Sequence, residues 1–132
     1  EALRALVRST LSSVEPVIRG EYRPSADVEL VLYRICQEAI SNIRKHSNIP
    51  KEKTGQVNIV LELDTYRSRL VVQDFGSGFS PEVMNDRKKG MGLQAMQNWA
   101  RKISAQININ SSPGNGTYLE VVVPISEKVG EQ

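Results

Sequence analysis

The stretch QEAISNIRKHS, residues 37–47, belongs to the most regular helical pattern of the chain and ends in polar side chains. At about 100° per residue, one stripe of this helix starts apolar and ends polar. The stripe consists of Ile35, Ala39, Asn42 and His46, flanked by Glu38 and Lys45. Burying an unpaired amide or charge costs on the order of several kcal/mol, so these groups must meet water, one another or a polar ligand. The pattern therefore predicts either a helix end that emerges into solvent or a ligand site beside the second half of the helix.

The flanking sequence predicts an α+β fold with two layers. Apolar residues recur at helical spacing in three predicted helices, 3–14, 28–48 and 93–103, and Asp27 is expected to cap the second of these helices. Apolar and polar residues alternate in two predicted hairpins, 56–74 and 106–125, and a long glycine-containing loop covers 76–92. We therefore expect a mixed, mostly antiparallel sheet covered on one face by helices.

The length and composition limit the kind of protein. Residues 1–132 are the size of a single domain, and residues 1–14 are expected to be the tail of an upstream helical region in a longer protein. The 17 basic and 15 acidic residues give a charge of +2, too small to indicate nucleic-acid or membrane binding. A single cysteine, Cys36, excludes an internal disulfide and a multi-cysteine zinc site. No apolar run approaches the roughly 18 residues of a membrane span.

Three glycine clusters follow the long helix. The first is DFGSG, residues 74–78, at the end of a predicted strand. Its carboxylate, Asp74, can accept a hydrogen bond from an exocyclic amine such as that of adenine, and would repel the carbonyl of guanine. Gly76 and Gly78 permit close approach of a ligand to the backbone. Taken alone, this cluster is also compatible with an ordinary turn.

The second and third clusters have a structural and a functional interpretation each. In KGMGLQAM, residues 89–96, Gly90 and Gly92 precede a helix whose N-terminus would suit a phosphate, and the basic run 87–89 stands just before it. In GNGTYL, residues 114–119, Thr117 would start a strand beside the same pocket. Without a ligand, Gly92 would simply be a residue at the helix start, the basic run 87–89 would be a solvated loop, and GNGTYL would be a hairpin turn.

Together, and in this order, four motifs resemble the conserved boxes of the ATP-binding catalytic domain of two-component sensor histidine kinases. The motifs are RICQEAISNIRKHS (34–47), VVQDFGSGF (71–79), KGMGL (89–93) and GNGTYL (114–119). This domain belongs to the superfamily shared with gyrase, the Hsp90 chaperone and the mismatch-repair ATPases. The resemblance spans about residues 27–124 and is greatest to the branch that includes nitrate sensors. It implies a Bergerat-type ATP-binding fold, a two-layer α/β sandwich.

The resemblance also implies roles for single residues. Asn42 would give an amide oxygen to Mg²⁺, and Lys45 would approach the phosphates of ATP as a second catalytic residue beside Glu38. Glu38 would either act as a base or orient the attacking group or the metal's waters. Asp74 and Thr117 would bind the adenine. Six further residues would contact the nucleotide or act as hinges of a lid formed by residues 79–89. They are His46, Gly76, Gly78, Gly90, Gly92 and Leu93.

Several positions depart from the family pattern. They are Phe75, Met91, Trp99 and Ala105, which stand where the family commonly has Asn, His, Arg and Gly. None of them removes a residue to which the resemblance assigns a ligand contact. They put nucleotide affinity and lid contacts in question more than ATP binding itself.

The only histidine, His46, lies inside the implied nucleotide site and cannot be the phosphate acceptor. We therefore interpret the chain as a catalytic fragment, monomeric in isolation, that binds ATP and does not phosphorylate itself. It would donate the γ-phosphate to a histidine on a separate dimerisation domain and so serve a response regulator. We expect a cytoplasmic location, with a parent protein that is either membrane-anchored or free, and no nucleic-acid partner. The alternatives are an ATP hydrolase with Glu38 as base, an anti-sigma-type serine kinase, and a non-catalytic nucleotide sensor.

Overall fold

A computed structural model of the chain describes residues 16–46, 57–75, 91–112 and 116–124, together with Ala5. The predicted helix of residues 3–14 lies outside these ranges, apart from Ala5, which is helical. The elements in chain order are β1 Val17–Arg19, α1 Ala26–His46, β2 Asn58–Leu63, β3 Arg67–Asp74, α2 Met91–Lys102, β4 Gln106–Ser111 and β5 Thr117–Pro124. The predicted α+β fold class and both hairpins are confirmed.

The five strands form one mixed sheet in the order β1-β2-β3-β5-β4. The edge strand β1 runs parallel to β2, and all other neighbours are antiparallel. Because β3 pairs with β5, the two hairpins are joined through their inner strands. In this register Asp74 of β3 lies opposite Thr117 of β5, which brings two predicted site residues to the same end of the sheet.

Both helices pack on one face of the sheet. Along β3 every second side chain from Ser68 to Asp74 is buried, which identifies the face toward the helices. The buried stripe of α1 recurs at helical spacing and consists of Val31, Leu32, Ile35, Cys36, Ala39, Ile40 and Ile43. The shorter α2 contributes Leu93, Met96 and Ala100. Since α1 contacts β3, β5 and α2, the apolar layer is continuous from sheet to helices.

Ser25 caps α1, and the predicted cap at Asp27 is wrong. The Ser25 side-chain oxygen accepts a hydrogen bond from the Val28 N–H at 3.4 Å, and its carbonyl accepts one from the Glu29 N–H at 2.9 Å. Asp27 lies instead within the first turn, where with Glu29 it complements the positive end of the helix dipole. The helix begins earlier than predicted because the Ser25 side chain satisfies the Val28 N–H, which has no acceptor within the helix.

Two differences from the prediction concern α2. The helix runs from Met91 to Lys102, whereas the sequence predicts Leu93 to Ile103, so Gly92 lies inside the first turn. At the other end Ser104 has a φ of 57°. The Ala105 N–H donates to the Ala100 carbonyl at 2.9 Å and the Ser104 N–H to the Arg101 carbonyl at 3.1 Å. This pair of bonds is a Schellman motif, which ends the helix before β4.

The opposite face of the sheet carries charged side chains paired across the strands. Arg69 on β3 donates to Glu120 at 2.5 Å and to Glu62 at 3.2 Å, and these bonds raise the pKa of its guanidinium. In the turn between β2 and β3, the Asp64 carboxylate accepts the N–H groups of Arg67 and Tyr66, both at 2.8 Å. These bonds hold the pKa of Asp64 below its usual value, with the Arg67 N–H as the largest cause.

Ser68 is an exception in the core, and replacing it should stabilise the protein. Its side chain is fully buried, and within the described ranges its hydroxyl oxygen has no hydrogen-bond partner. Leaving a buried polar group unsatisfied costs about 1–3 kcal/mol. We expect Ser68→Ala to raise the free energy of unfolding by about 1 kcal/mol, measured by urea denaturation. Ser111→Ala, which removes a bonded hydroxyl from the same face, should lower it, and a decrease in both variants would contradict this reading.

Candidate functional site

The second half of α1 turns from apolar to polar as predicted. Ile35 and Ala39 are buried, and Glu38 and Asn42 are half-buried one turn apart. Residues four apart on a helix lie on the same side, so the carboxylate and the amide are neighbours. The backbone of Lys45 and His46 forms the last turn of α1, while their side chains lie outside the described part of the structure. Two oxygen-bearing groups are therefore placed together on this helix.

Glu38 lies against the first turn of α2 at Gly92. A Cβ atom built on Gly92 would overlap Oε2 of Glu38 and lie 2.9 Å from its Cδ. Gly92 was predicted to precede the helix, but it lies inside the first turn of α2, where the absence of a side chain leaves room for this carboxylate. Its expected role as a hinge stays a prediction. The first N–H groups of a helix have no partner within it and attract negative charge. The first turn of α2 therefore suits a negatively charged group, and the Glu38 carboxylate lies beside it.

A second group of side chains lies at the end of the sheet. Asp74 is the last residue of β3, is only 5% exposed and points to the helix-covered face. Its register partner on β5 is Thr117, which shares that face with the buried Leu119. Gly116 just before it has a φ of 76°, and a Cβ there would overlap the backbone oxygen of Asp74. Only glycine suits this position, because both the backbone conformation and the available space exclude a side chain.

Sequence reasoning missed Ser111 as a member of this group. Its hydroxyl oxygen lies 2.8 Å from the Thr117 hydroxyl oxygen and 3.0 Å from the Gly116 carbonyl oxygen. Ser111 is also the register partner of Thr117 on β4. The alternation of QININS could have indicated it, since Ser111 shares a face with Ile107 and Ile109. Asp74, Thr117 and Ser111 thus form a polar row across β3, β5 and β4.

The two groups of residues lie on the same side of the sheet, because α1 packs on the strands that carry Asp74 and Thr117. Leu93 lies in the hydrophobic core at 5% exposure, and its expected nucleotide contact stays a prediction. The remaining predicted residues lie outside the described ranges. They are Gly76, Gly78, Gly90, the basic run 87–89 and the lid 79–89.

The donor atoms beside α1 fit a magnesium ion. Mg²⁺ prefers oxygen ligands, is held by one or two protein groups together with substrate phosphates, and keeps several waters. The half-buried amide of Asn42 and the carboxylate of Glu38 supply such oxygens one helical turn apart. In the part of the chain that the structure describes, no three His, Cys, Asp or Glu side chains are grouped to hold a metal ion by themselves.

Cys36 belongs to the core and not to the site. It is fully buried in α1, and burial raises the pKa of its thiol to about 12. A thiol with this pKa stays protonated near neutrality and is a poor nucleophile.

Neither of the two described helices is long and apolar enough to serve as a membrane span.

Known proteins share this sequence pattern. Residues 27–127 match the family described as "Histidine kinase-, DNA gyrase B-, and HSP90-like ATPase". The sensor histidine kinase LiaS of Bacillus subtilis (strain 168) is 37% identical over 108 residues, which are 81% of this chain and 28% of LiaS. The signal transduction histidine-protein kinase/phosphatase DegS of Brevibacillus brevis is 31% identical over 109 residues, which are 82% of this chain and 26% of DegS. The chain thus spans about a quarter of the length of these relatives.

A solved structure shares the fold. The histidine kinase domain of the Erythrobacter litoralis EL346 blue-light activated histidine kinase aligns with a TM-score of 0.68. The alignment covers 94% of this chain and 62% of that chain at 13% sequence identity. At this identity the likeness concerns the fold, and the function has to be argued from the site.

Proposed function

Because this chain belongs to the family of histidine kinase-, DNA gyrase B- and HSP90-like ATPases, an ATP-binding family, we propose that it is the catalytic domain of a sensor histidine kinase. In this proposal it binds Mg²⁺ and ATP and donates the γ-phosphate to a histidine on a separate dimerisation domain, and a response regulator receives the phosphate next. The observation that carries the proposal is the grouping of polar residues from separate motifs on one side of the sheet. These residues are Glu38, Asn42, Asp74 and Thr117.

The sheet end would bind the adenine. The carboxylate of Asp74 can only accept hydrogen bonds when ionised, so it suits the exocyclic amine of adenine and disfavours a carbonyl at the same position. Thr117, opposite Asp74 in the register, would support the base directly or through a water. The burial of Asp74 strengthens this preference, because a ligand group that cannot donate to the carboxylate has no water to bond with there instead.

The helix side would bind the phosphates. Asn42 would hold Mg²⁺, which supplies positive charge for the oxygens of the transferring phosphoryl group. Lys45 would add a further positive charge from the last turn of α1. Phosphoryl transfer depends mostly on positioning and charge neutralisation. The role of Glu38 would then be to orient the attacking group or the waters near the phosphate, held in place by the turn at Gly92.

The position of Glu38 also suits a hydrolase, in which this carboxylate activates a water. One experiment distinguishes the two activities. The chain is mixed with Mg²⁺, γ-³²P-labelled ATP and the separately produced histidine domain of its parent protein. The proposal predicts acid-labile label on that histidine. Label released as free phosphate would favour the hydrolase, and neither product would favour a nucleotide sensor.

Asn42→Ala should remove the contribution of magnesium to ATP binding, because it deletes the proposed amide ligand. We expect the affinity for ATP measured by titration calorimetry to fall by more than about tenfold in Mg²⁺. In EDTA the variant and the parent chain should bind ATP alike. Asn58→Ala is the matched control, since Asn58 is exposed at the start of β2. If Mg²⁺ enhanced ATP binding equally in the parent chain and in Asn42→Ala, Asn42 would not be a ligand.

A further inference from the structure

The hydroxyl groups of Ser111 and Thr117 have a defined donor direction. Ser111 Oγ lies within hydrogen-bonding distance of two oxygens, the Gly116 carbonyl at 3.0 Å and the Thr117 hydroxyl at 2.8 Å. A hydroxyl has one proton to donate, and a carbonyl can only accept. Both contacts are hydrogen bonds only if Ser111 donates to Gly116 and Thr117 donates to Ser111. The reverse direction would leave two acceptor oxygens facing each other at 3.0 Å.

The Gly116 carbonyl that accepts from Ser111 belongs to a constrained stretch of backbone. Gly116 has a φ of 76°, is buried, and is packed directly against the backbone of Asp74 and Phe75. The acceptor of the Ser111 proton is therefore held by the junction of β5 with β3. If the Ser111 hydroxyl rotated away from Gly116, the hydrogen bond would be lost, because the packed backbone of Gly116 cannot move to restore it.

From this geometry we infer that Ser111 is a positioning residue that makes Thr117 an acceptor toward the nucleotide base. Because the Thr117 proton is directed to Ser111, only its oxygen lone pairs are available on the side of Asp74. The inference rests on the proposed binding of ATP and adds a specificity determinant to it. No sequence motif assigns this role to Ser111.

The consequence is a pair of acceptors on neighbouring strands. Asp74 and Thr117 are register partners on the helix-covered face, and both offer oxygen lone pairs. A purine with an amine at position 6 donates to them directly, or through a water that donates to Thr117 and to the unprotonated ring nitrogen beside the amine. A 6-oxo purine has an acceptor in place of the amine at position 6, so it mismatches the direct arrangement, in which Asp74 and Thr117 are both acceptors. A site that hydrogen-bonds one functional group strongly rejects the analogue that lacks it.

Comparison of ATP with ITP, which differs from ATP by the 6-oxo group, tests the inference on the full 132-residue chain in Mg²⁺. The parent chain should prefer ATP. In Ser111→Ala the Thr117 proton is free to point at the base, so we expect the ratio of ATP to ITP affinity to fall about tenfold. Ser111→Thr keeps a hydroxyl and should retain the parent ratio. Ser68→Ala, on the same sheet face and strand as Asp74, is the matched control and should leave the ratio unchanged.

Thr117→Val gives a second test that does not need Ser111→Ala to fold. If Thr117 acts as an acceptor, the variant should bind ATP less tightly and ITP equally or more tightly. A preferential loss of ITP would show that Thr117 donates and would overturn the inference. So would a Ser111→Ala variant that weakens ATP and ITP equally, or changes neither. A parent chain that binds no ATP would instead reject the proposed function and the inference with it.

Discussion

We expect Asp74→Asn to reduce the affinity of the chain for ATP by about 10-fold to about 100-fold. The carboxylate is 5% exposed at the end of β3 and faces the helices, where a lost bond is not replaced by water. A hydrogen bond to a charged group contributes about 1.5–3 kcal/mol, and each 1.4 kcal/mol corresponds to about a factor of ten. The amide would either turn its N–H₂ group toward the adenine amine or present an uncharged oxygen. Titration calorimetry with ATP in Mg²⁺ measures the change.

Asp64→Asn is the matched control for this variant. Asp64 lies at the other end of the same hairpin, is exposed, and accepts two backbone N–H groups of its own turn. The same chemical change there should leave ATP affinity unchanged. Equal ATP affinity in Asp74→Asn and the parent chain would assign Asp74 a structural role in the strand.

Gly92→Ala should separate catalysis from stability. The added methyl group displaces the Glu38 carboxylate, which is the end of a flexible side chain, and leaves the backbone of α2 in place. Because alanine is favoured over glycine in a helix by about 1 kcal/mol, we expect the free energy of unfolding to stay equal or rise. A displacement of about 1 Å at a catalytic group can cost about 100-fold in rate. We expect a loss of this order in phosphate transfer to the histidine domain, measured with labelled ATP.

Two further variants identify the cause of this loss. Glu38→Gln should bind ATP as the parent chain does and transfer phosphate slowly, and adding Gly92→Ala to it should have little further effect. Gly116→Ala should instead cause a marked loss of stability. Its φ of 76° is unfavourable for alanine, and its backbone neighbours leave no room for a methyl group. Additive effects of Gly92→Ala and Glu38→Gln would exclude Glu38 as the residue through which Gly92 acts.

The sequence predicted those parts of the fold that depend on local patterns. The helical recurrence of apolar residues located α1, and the alternation in residues 56–74 and 106–125 located both hairpins. The resemblance also brought Asp74 and Thr117 into one site, and the register places them opposite each other. The residue roles and the nitrate-sensor branch stay predictions.

The parts that sequence reasoning missed depend on contacts between distant segments. The pairing of the three-residue β1 with β2 joins Val17 to Val60, and no local pattern encodes it. The contact of Gly92 with Glu38 depends on how α1 and α2 pack, so the glycine was interpreted as a loop residue. Ser25 and Asp27 are equally good caps by type, and only the backbone conformation selects Ser25.

The connection between β3 and α2 is fixed at both of its ends. Upstream it leaves from buried Asp74, and downstream it returns at the turn where Gly92 meets Glu38. The folded layers therefore set the distance that residues 76–90 have to span, whatever the sequence of that segment is.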